Sequence, residues 1–357
     1  MIRDAKDYGS LNVHMRAQRM ELFTAGTYNL LVSATDFSNL SQMLANTKYN
    51  DIIGSEMVKT YPNLIEIDHR LTQNFVDQYN LYRKFIPKRA IGFVNVLIKI
   101  YYYNNVKLLL AALHNKDRLE EVNEMLITLN ETENAEIQEM FKARNVETLV
   151  EMMPNEDLKK ILNSALGDYH YLDLVYPLIF ATDQYYYNML CIEITKLSRE
   201  DQRNTKNLFG TRIGLQNLEI ILRSKTFDVS PNIVKNWLIA TKLCPLRKDI
   251  LEKLIQSLDL ETTFNIIKEE TPFRELAIRL LDNIEKELPP LHNFDQYAEQ
   301  IVIHKANSIF RSASFNVSIF PAFFLLKEME IRNLRTIILG KIHKRSANEI
   351  LERIVLV

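Results

Sequence analysis

The feature that most constrains the fold is one amphipathic phrase written three times. It reads "YNNVKLLLAALHNK" at 103–116, "LQNLEIILRSK" at 215–225 and "EIRNLRTIILGK" at 330–341. Aligned on Asn105, Asn217 and Asn333, the copies lie 112 (217 − 105) and 116 (333 − 217) residues apart. Val106, Leu218 and Leu334 follow one place later. Leu109, Ile221 and Ile337 come four places on, and Leu110, Leu222 and Ile338 five. Steps of one, four and five from a common origin share one helical face. Lys225 and Lys341 stand eight places after their asparagines, where the first copy has Leu113.

Two other markers keep step. Nineteen places after each asparagine comes a second run: "EMLITL" at 124–129, "NWLIAT" at 236–241 and "ERIVLV" at 352–357. Upstream lies a threonine element. Thr47 and Tyr49 precede Ile52, and Thr271 and Phe273 precede Leu276. Met153 and Leu158 form a degenerate middle copy. From this element to the asparagine the distances are 58 (105 − 47), 64 (217 − 153) and 62 (333 − 271). Three markers in one order imply an internal triplication with a period of roughly 115 residues, far longer than the two-helix units of common solenoids. The expected units are 1–125, 126–245 and 246–357, each a small helical bundle.

Composition agrees with an all-α chain. Only 8 glycines and 10 prolines punctuate 357 residues, against about 7% glycine in average usage, so long helices with short connections are expected. "DFSNLSQMLANTKY" sets Leu40, Met43 and Leu44 on one face, with Asp36 or Ser38 as cap. "VSPNIVKNWLIATKL" opens with Ser230-Pro231 and is expected to bury Ile233, Val234, Trp237 and Leu238 in one helix. "RKDILEKLIQSL" carries a stripe of Ile250, Leu251, Leu254 and Ile255. The most strand-like run, "NVLIKIYYY" at 95–103, precedes the first asparagine directly and reads as part of one long helix.

Charge and motifs exclude several classes. With 44 Lys and Arg against 45 Asp and Glu the net charge is −1, which leaves no global basic field for nucleic acid. Cys191 and Cys244 make no disulfide framework or zinc pattern, which fits a reducing compartment. No apolar run approaches the roughly 20 residues of a membrane span, and "MIRDAKDYGS" carries no signal peptide. A cytoplasmic disposition follows. There is no phosphate loop, no nucleophile elbow and no zinc-protease motif. Asp168, His170 and Asp173 sit close in sequence, but a local cluster at a helix end outweighs a metal site. Tyr101–Tyr103 and Tyr185–Tyr187 could stack bases, yet without basic company they read as packing at helix interfaces. The segment 117–158 holds 12 acidic residues against Arg118, Lys142 and Arg144. It reads as a solvated helical face, or else as a docking surface for a basic partner. No nucleophile, base and orienting group can be assembled, so no catalytic, cofactor or metal site is expected. A buried amide at one place in each unit must be hydrogen-bonded. The asparagines are therefore expected to cap a neighbouring helix end or fix register, with a ligand role as the alternative.

The opening "YGSLNVHMRAQRMELFTAGTYNLLVSATDFSNLSQMLANTKY" resembles that of the C subunits of archaeal-type (A-type) ATP synthases. It shares an aromatic start, basic residues ahead of a helix (Arg16 and Arg19) and a Leu-rich run ending at Thr47 and Tyr49. The closing "AFFLLKEMEIRNLRTIILGKIHKRSANEILERI" is similar to that family's C-terminal signature. The vacuolar ATPase d subunit is a more distant relative, whose glycine-rich opening is absent here. The resemblance implies a funnel of three similar helical units about a pseudo-three-fold axis. It implies one copy per complex, peripheral on the cytoplasmic face of the cell membrane. It further implies a non-catalytic rotor part between two partners, the central shaft of the soluble head and the proteolipid ring, with no nucleotide bound. An independent helical scaffold or adaptor is the alternative.

Overall fold

The structure, a computed structural model, describes residues 2–57, 59, 62–117, 119–312 and 315–356, the side chains of 2–5 and 120 excepted. Among the described residues it is all-α, without a strand. The N-terminal helices are α1 (Ile2–Met20), α2 (Ala25–Val32), α3 (Phe37–Leu44), α4 (Asn50–Met57), α5 (Leu64–Arg83) and, after a 3-10 turn, α6 (Ile91–Asn115). Then come α7 (Leu119–Asn123), α8 (Glu131–Met140), α9 (Val146–Glu151), α10 (Glu156–Leu172), α11 (Tyr176–Lys196) and α12 (Arg199–Thr226). The remainder is α13 (Pro231–Trp237), α14 (Lys248–Gln256), α15 (Leu260–Glu270), α16 (Arg274–Glu285), α17 (Phe294–Arg311), α18 (Ile319–Ile342) and α19 (Ala347–Leu351).

Spatial contacts divide the chain into two compact units. The first is 1–144 together with 303–357, and the second is 145–302. These bounds differ from the three sequence units, which rest on repetition rather than contact. In the first compact unit α18 packs against α1, α3 and α5, so this late helix is embedded among N-terminal ones. Aromatic rings fill that seam. Phe75 and Tyr79 meet Phe324 edge-on or tilted, with centroids 5.2 and 4.8 Å apart, and Tyr79 also meets Phe320. Such pairs add about 0.5–1.5 kcal/mol beyond the area they bury. In the second compact unit α10 and α11 form a hairpin, and α12 packs with α11, α13 and α15.

Local chemistry sets the helix starts. Asp36 caps α3 through the Asn39 amide, and Asp259 caps α15 through the Thr262 amide. Asn130, Asn145 and Asn155 do the same for α8, α9 and α10. The strand-like 95–103 run lies within α6, whose Tyr102 and Tyr103 are buried. Tyr185, Tyr186 and Tyr187 are buried on α11. One expected helix is shorter than its sequence suggested. It begins at Pro231, but Ser230 makes no side-chain capping bond and the helix stops at Trp237, with Leu238 extended. The reason is a competing partner for the backbone of Ile239, described next.

Candidate functional site

Each repeated asparagine is buried in the middle of a long helix and clasps a backbone segment 22 residues further on. Asn105 Nδ2 donates to the Ile127 carbonyl (2.9 Å), while its Oδ1 accepts from the Ile127 amide (3.1 Å). Asn217 holds Ile239 the same way, at 3.2 and 2.8 Å. Asn333 holds Val355 at 2.6 and 2.9 Å. One side-chain amide thus satisfies both polar groups of a buried, non-helical residue, and a buried N–H or C=O left open would be costly. This explains why α13 ends early: Ile239 cannot continue a helix and also give its N–H and C=O to Asn217.

The chain between asparagine and clasp is built alike in all three copies. Eleven residues after each asparagine the backbone turns left-handed, at Lys116, Asp228 and Lys344, with φ of 60°, 51° and 53°. The next amide reaches back to the carbonyl seven places after the asparagine. These bonds run Asp117 to Ala112, Val229 to Ser224 and Arg345 to Gly340, at 2.9, 3.0 and 2.8 Å. That is the six-to-one bond of a Schellman helix end. A short helix then starts fourteen places after the asparagine: 119 − 105, 231 − 217 and 347 − 333. The carbonyl-bearing position holds only small residues, Ala112, Ser224 and Gly340. At Gly340 the cause is visible, since a Cβ there would lie 2.5 Å from Ile350 Cγ1. The places equivalent to Ile350 in the other copies hold the smaller Val122 and Val234, both buried.

The lysines and threonines belong to a second shared arrangement. Lys341 donates to the carbonyl of Val32, the last residue of α2 (2.7 Å). Lys225 donates to the carbonyls of Ile255 and Ser257 at the end of α14. Burial lowers the pKa of both, and the capping aspartates Asp36 and Asp259 oppose the shift. Thr47 and Thr271 each donate to the carbonyl three or four residues back and accept from the amide two residues ahead, that of Tyr49 or Phe273. The aromatic ring then meets the Asn-bearing helix three places before its asparagine. A Cβ on Gly214 would lie 2.7 Å from Phe273 Cζ. In the other copy Tyr49 meets Glu330. Met153, in the degenerate middle copy, is buried between α9 and α10.

Where Phe273 needs only space, Tyr49 needs an acceptor, and the result is a buried charged joint. The Tyr49 hydroxyl donates to Glu330 Oε1 (2.7 Å) and accepts from Lys327 Nζ (2.9 Å). Lys327 and Lys48 lie 3.0 and 2.9 Å from the same carboxylate. The Phe23 amide donates to its second oxygen. Glu330 is 0% exposed and Lys327 2%, so the group must be internally neutralised. Burial pulls the Glu330 carboxyl upward, but Lys327, Lys48 and the two donors outweigh it and hold it below the ordinary range. Burial pushes the Lys327 ammonium down to about 8 despite the attraction of Glu330. Burial and Glu330 push the Tyr49 phenol up.

The remaining sequence candidates lie apart from these joints, whereas one cleft borders the first clasp. The exposed His170 is 3.4 Å from the half-buried Glu147, and Asp173 is the left-handed residue closing α10. The acidic stretch is partly engaged: Glu133 pairs with Lys99 at 3.2 Å, and Glu136 hydrogen-bonds Tyr102. A cleft of about 250 Å³ beside Asn105 is lined by Asp68, Thr72, Tyr101, Glu328 and Arg335. Arg335 closes one side by pairing with Asp68 and donating to Thr72. Among the described residues no cluster of three His, Cys, Asp or Glu could hold a metal, and no helix is long and apolar enough to cross a membrane.

Comparison with known proteins gives these joints a context. The model of the ATP synthase (C/AC39) subunit family matches residues 11–353. The chain belongs to that family. Its relatives include the A-type ATP synthase C subunit of Methanocaldococcus jannaschii, 24% identical over 98% of this chain and 86% of the relative. The corresponding A-type ATP synthase chain of Methanosphaera stadtmanae is 25% identical over 80% and 72%. That of Thermoplasma acidophilum is 21% identical over 94% and 93%. The family match spans all three clasping asparagines and the Tyr49–Glu330 joint.

Proposed function

We propose that this chain is the non-catalytic central-rotor subunit of an A-type ATP synthase or ATPase. In this reading it is a socket, one copy per complex, peripheral on the cytoplasmic face of the membrane. It receives the central shaft of the soluble head on one side and stands on the proteolipid ring on the other. It carries torque between ion translocation and ATP synthesis or hydrolysis. Family membership supports the complex, and the thrice-repeated asparagine clasp is the observation that carries the mechanical part. A part that transmits torque must resist slipping. Buried hydrogen-bonded tethers between a long helix and the segment after it favour stiffness within each copy, while distributed complementary contacts favour grip on a partner.

The proposed architecture is three helical units about a pseudo-three-fold axis, forming a funnel. Its repeating body joins one Asn-bearing helix to a triple of short helices, the one that follows it or, for the last Asn-bearing helix, the one that opens the chain. Two such bodies lie within the compact units: α12 with α14–α16, and α18 with α2–α4. The second is stitched from the two ends of the chain, which is what a closed ring of three requires. Affinity purification of the tagged chain from its host, with mass spectrometry, tests the assignment. Shaft and ring subunits should come with it in fixed proportion, and their absence would leave the scaffold alternative.

A further inference from the structure

Arg16 and Arg19 belong to the opening shared with the family, yet the clasps and joints above make no use of them. On α1 they stand one turn apart, and α17, whose Asn307 and Phe310 touch Arg19, ends at Arg311. Two uncharged amides orient the guanidinium groups. Arg16 Nε donates to Asn12 Oδ1 at 2.8 Å, and Arg19 Nη2 to Asn307 Oδ1 at 2.9 Å. Arg19 also lies over the Phe310 ring, with Cζ 4.7 Å from its centroid. Among the described residues no carboxylate pairs with any of the three. Arg19 feels burial first and then the two other arginines, all three acting to weaken its hold on its proton. The carbonyl ends of α1 and α17 offer partial charges equivalent to only about half an elementary charge each, against three full positive charges. Elsewhere in this chain arginines meet acids: Arg70 with Glu66, Arg223 with Glu219 and Asp295, Arg247 with Asp249. Preoriented forks left without a counter-charge match the bidentate geometry of an oxyanion.

We propose that Arg16, oriented by Asn12, and Arg19, oriented by Asn307 and Phe310, form together with Arg311 a binding site for a phosphate-class oxyanion. The ligand is either free inorganic phosphate or the phosphate of an anionic lipid headgroup. Arg19 is the inner, half-buried donor stacked on Phe310. Arg16, one turn earlier on α1, and the exposed Arg311, next to Phe310 on α17, add their positive charges. The site stands independently of the rotor-socket reading.

The test uses the full-length chain. Inorganic phosphate is titrated calorimetrically at constant ionic strength against chloride as control. Sedimentation with phosphatidylglycerol vesicles is compared with sedimentation with phosphatidylcholine vesicles. Wild type should bind at least one of the two phosphate sources saturably, and Arg16→Gln and Arg311→Gln should each weaken binding about tenfold or more, the loss of one charge-assisted bond. Phosphate binding without vesicle binding identifies the free ion as ligand. Vesicle binding lost in both variants identifies the headgroup. Arg16→Lys keeps the charge but loses the fork and should fall between wild type and Arg16→Gln, an order that a general folding defect would not produce. Unchanged thermal melting confirms that each variant is folded. Binding to neither source, or wild-type binding by Arg16→Gln and Arg311→Gln, overturns the site.

Discussion

The Asn217 amide both accepts from and donates to the same backbone residue, which a purely donating or purely accepting side chain cannot do. Asn217→Ala leaves the Ile239 N–H and C=O open in a buried setting, at about 1–3 kcal/mol per orphaned group. For the two groups a loss of about 2–6 kcal/mol in urea unfolding is expected. Asn217→Asp should not rescue it, because a carboxylate cannot donate to the Ile239 carbonyl. Lys327 gives a pH signature. Its folded pKa is about 8, below the about 10.4 of a free lysine. Between these values the unfolded chain binds more protons, so this group makes stability rise with pH from about 8 to about 10, and its burial is least favourable below 8. Tyr49 and Tyr28, both pushed up by burial, reverse the trend once unfolded tyrosine ionises near 10. Urea midpoints at pH 7.5 and 9.5 should rise for wild type, and the rise should shrink in Lys327→Met. The asparagines were legible in sequence as buried amides needing partners, but a cap, a register device and a ligand contact all fitted. The clasp partner lay in the second repeated run, and only coordinates pair the two. Glu330 and Lys327 were not legible at all, since a charged pair at i, i+3 on a helix ordinarily marks a solvated face.

At the scale of elements, the turn between each long helix and its short successor depends on close approach. Gly340→Ala would drive a methyl into Ile350, and overpacking of this kind costs about 1–3 kcal/mol. Pairing it with Ile350→Val, the combination nearest to Ala112 with Val122, should recover most of the loss in thermal melting. Trp237 ends α13 and packs on Phe180 at 5.2 Å between centroids, so Trp237→Ala should cost about 3–5 kcal/mol. Helix content was readable from scarce glycine and 3.6-residue periodicity, including the β-branched and aromatic run inside α6. Helix ends were less so. The stop at Trp237 depends on Asn217, twenty residues earlier, and the left-handed turns use lysine and aspartate where glycine would have advertised them. The small residue of each turn was present in all three copies but carries no signal of its own.

At the scale of the molecule, helices near the end of the chain are held by those near its start: α18 through Lys341 to Val32 and Glu330 to Tyr49, and α17 through Asn307 to Arg19. Removing residues 346–357 deletes α19 and the segment clasped by Asn333. Hydrogen exchange should then show lost protection in α2–α4 and α18, with α12–α16 in the other compact unit unaffected. The thrice-repeated clasp was foreshadowed by the order and spacing of the markers. That the third asparagine helix partners the first helix triple was not, because sequence distance there is nearly the whole chain. The central claim is mechanical, and coupling in reconstituted membranes tests it most directly. ATP hydrolysis and ATP-driven ion pumping are measured together, with this chain present, depleted and added back. The account predicts that on depletion the soluble head keeps hydrolysing ATP while pumping collapses, and that the wild-type chain restores pumping. Pumping at the full rate without this chain, or loss of hydrolysis by the isolated head when it is removed, would contradict the account.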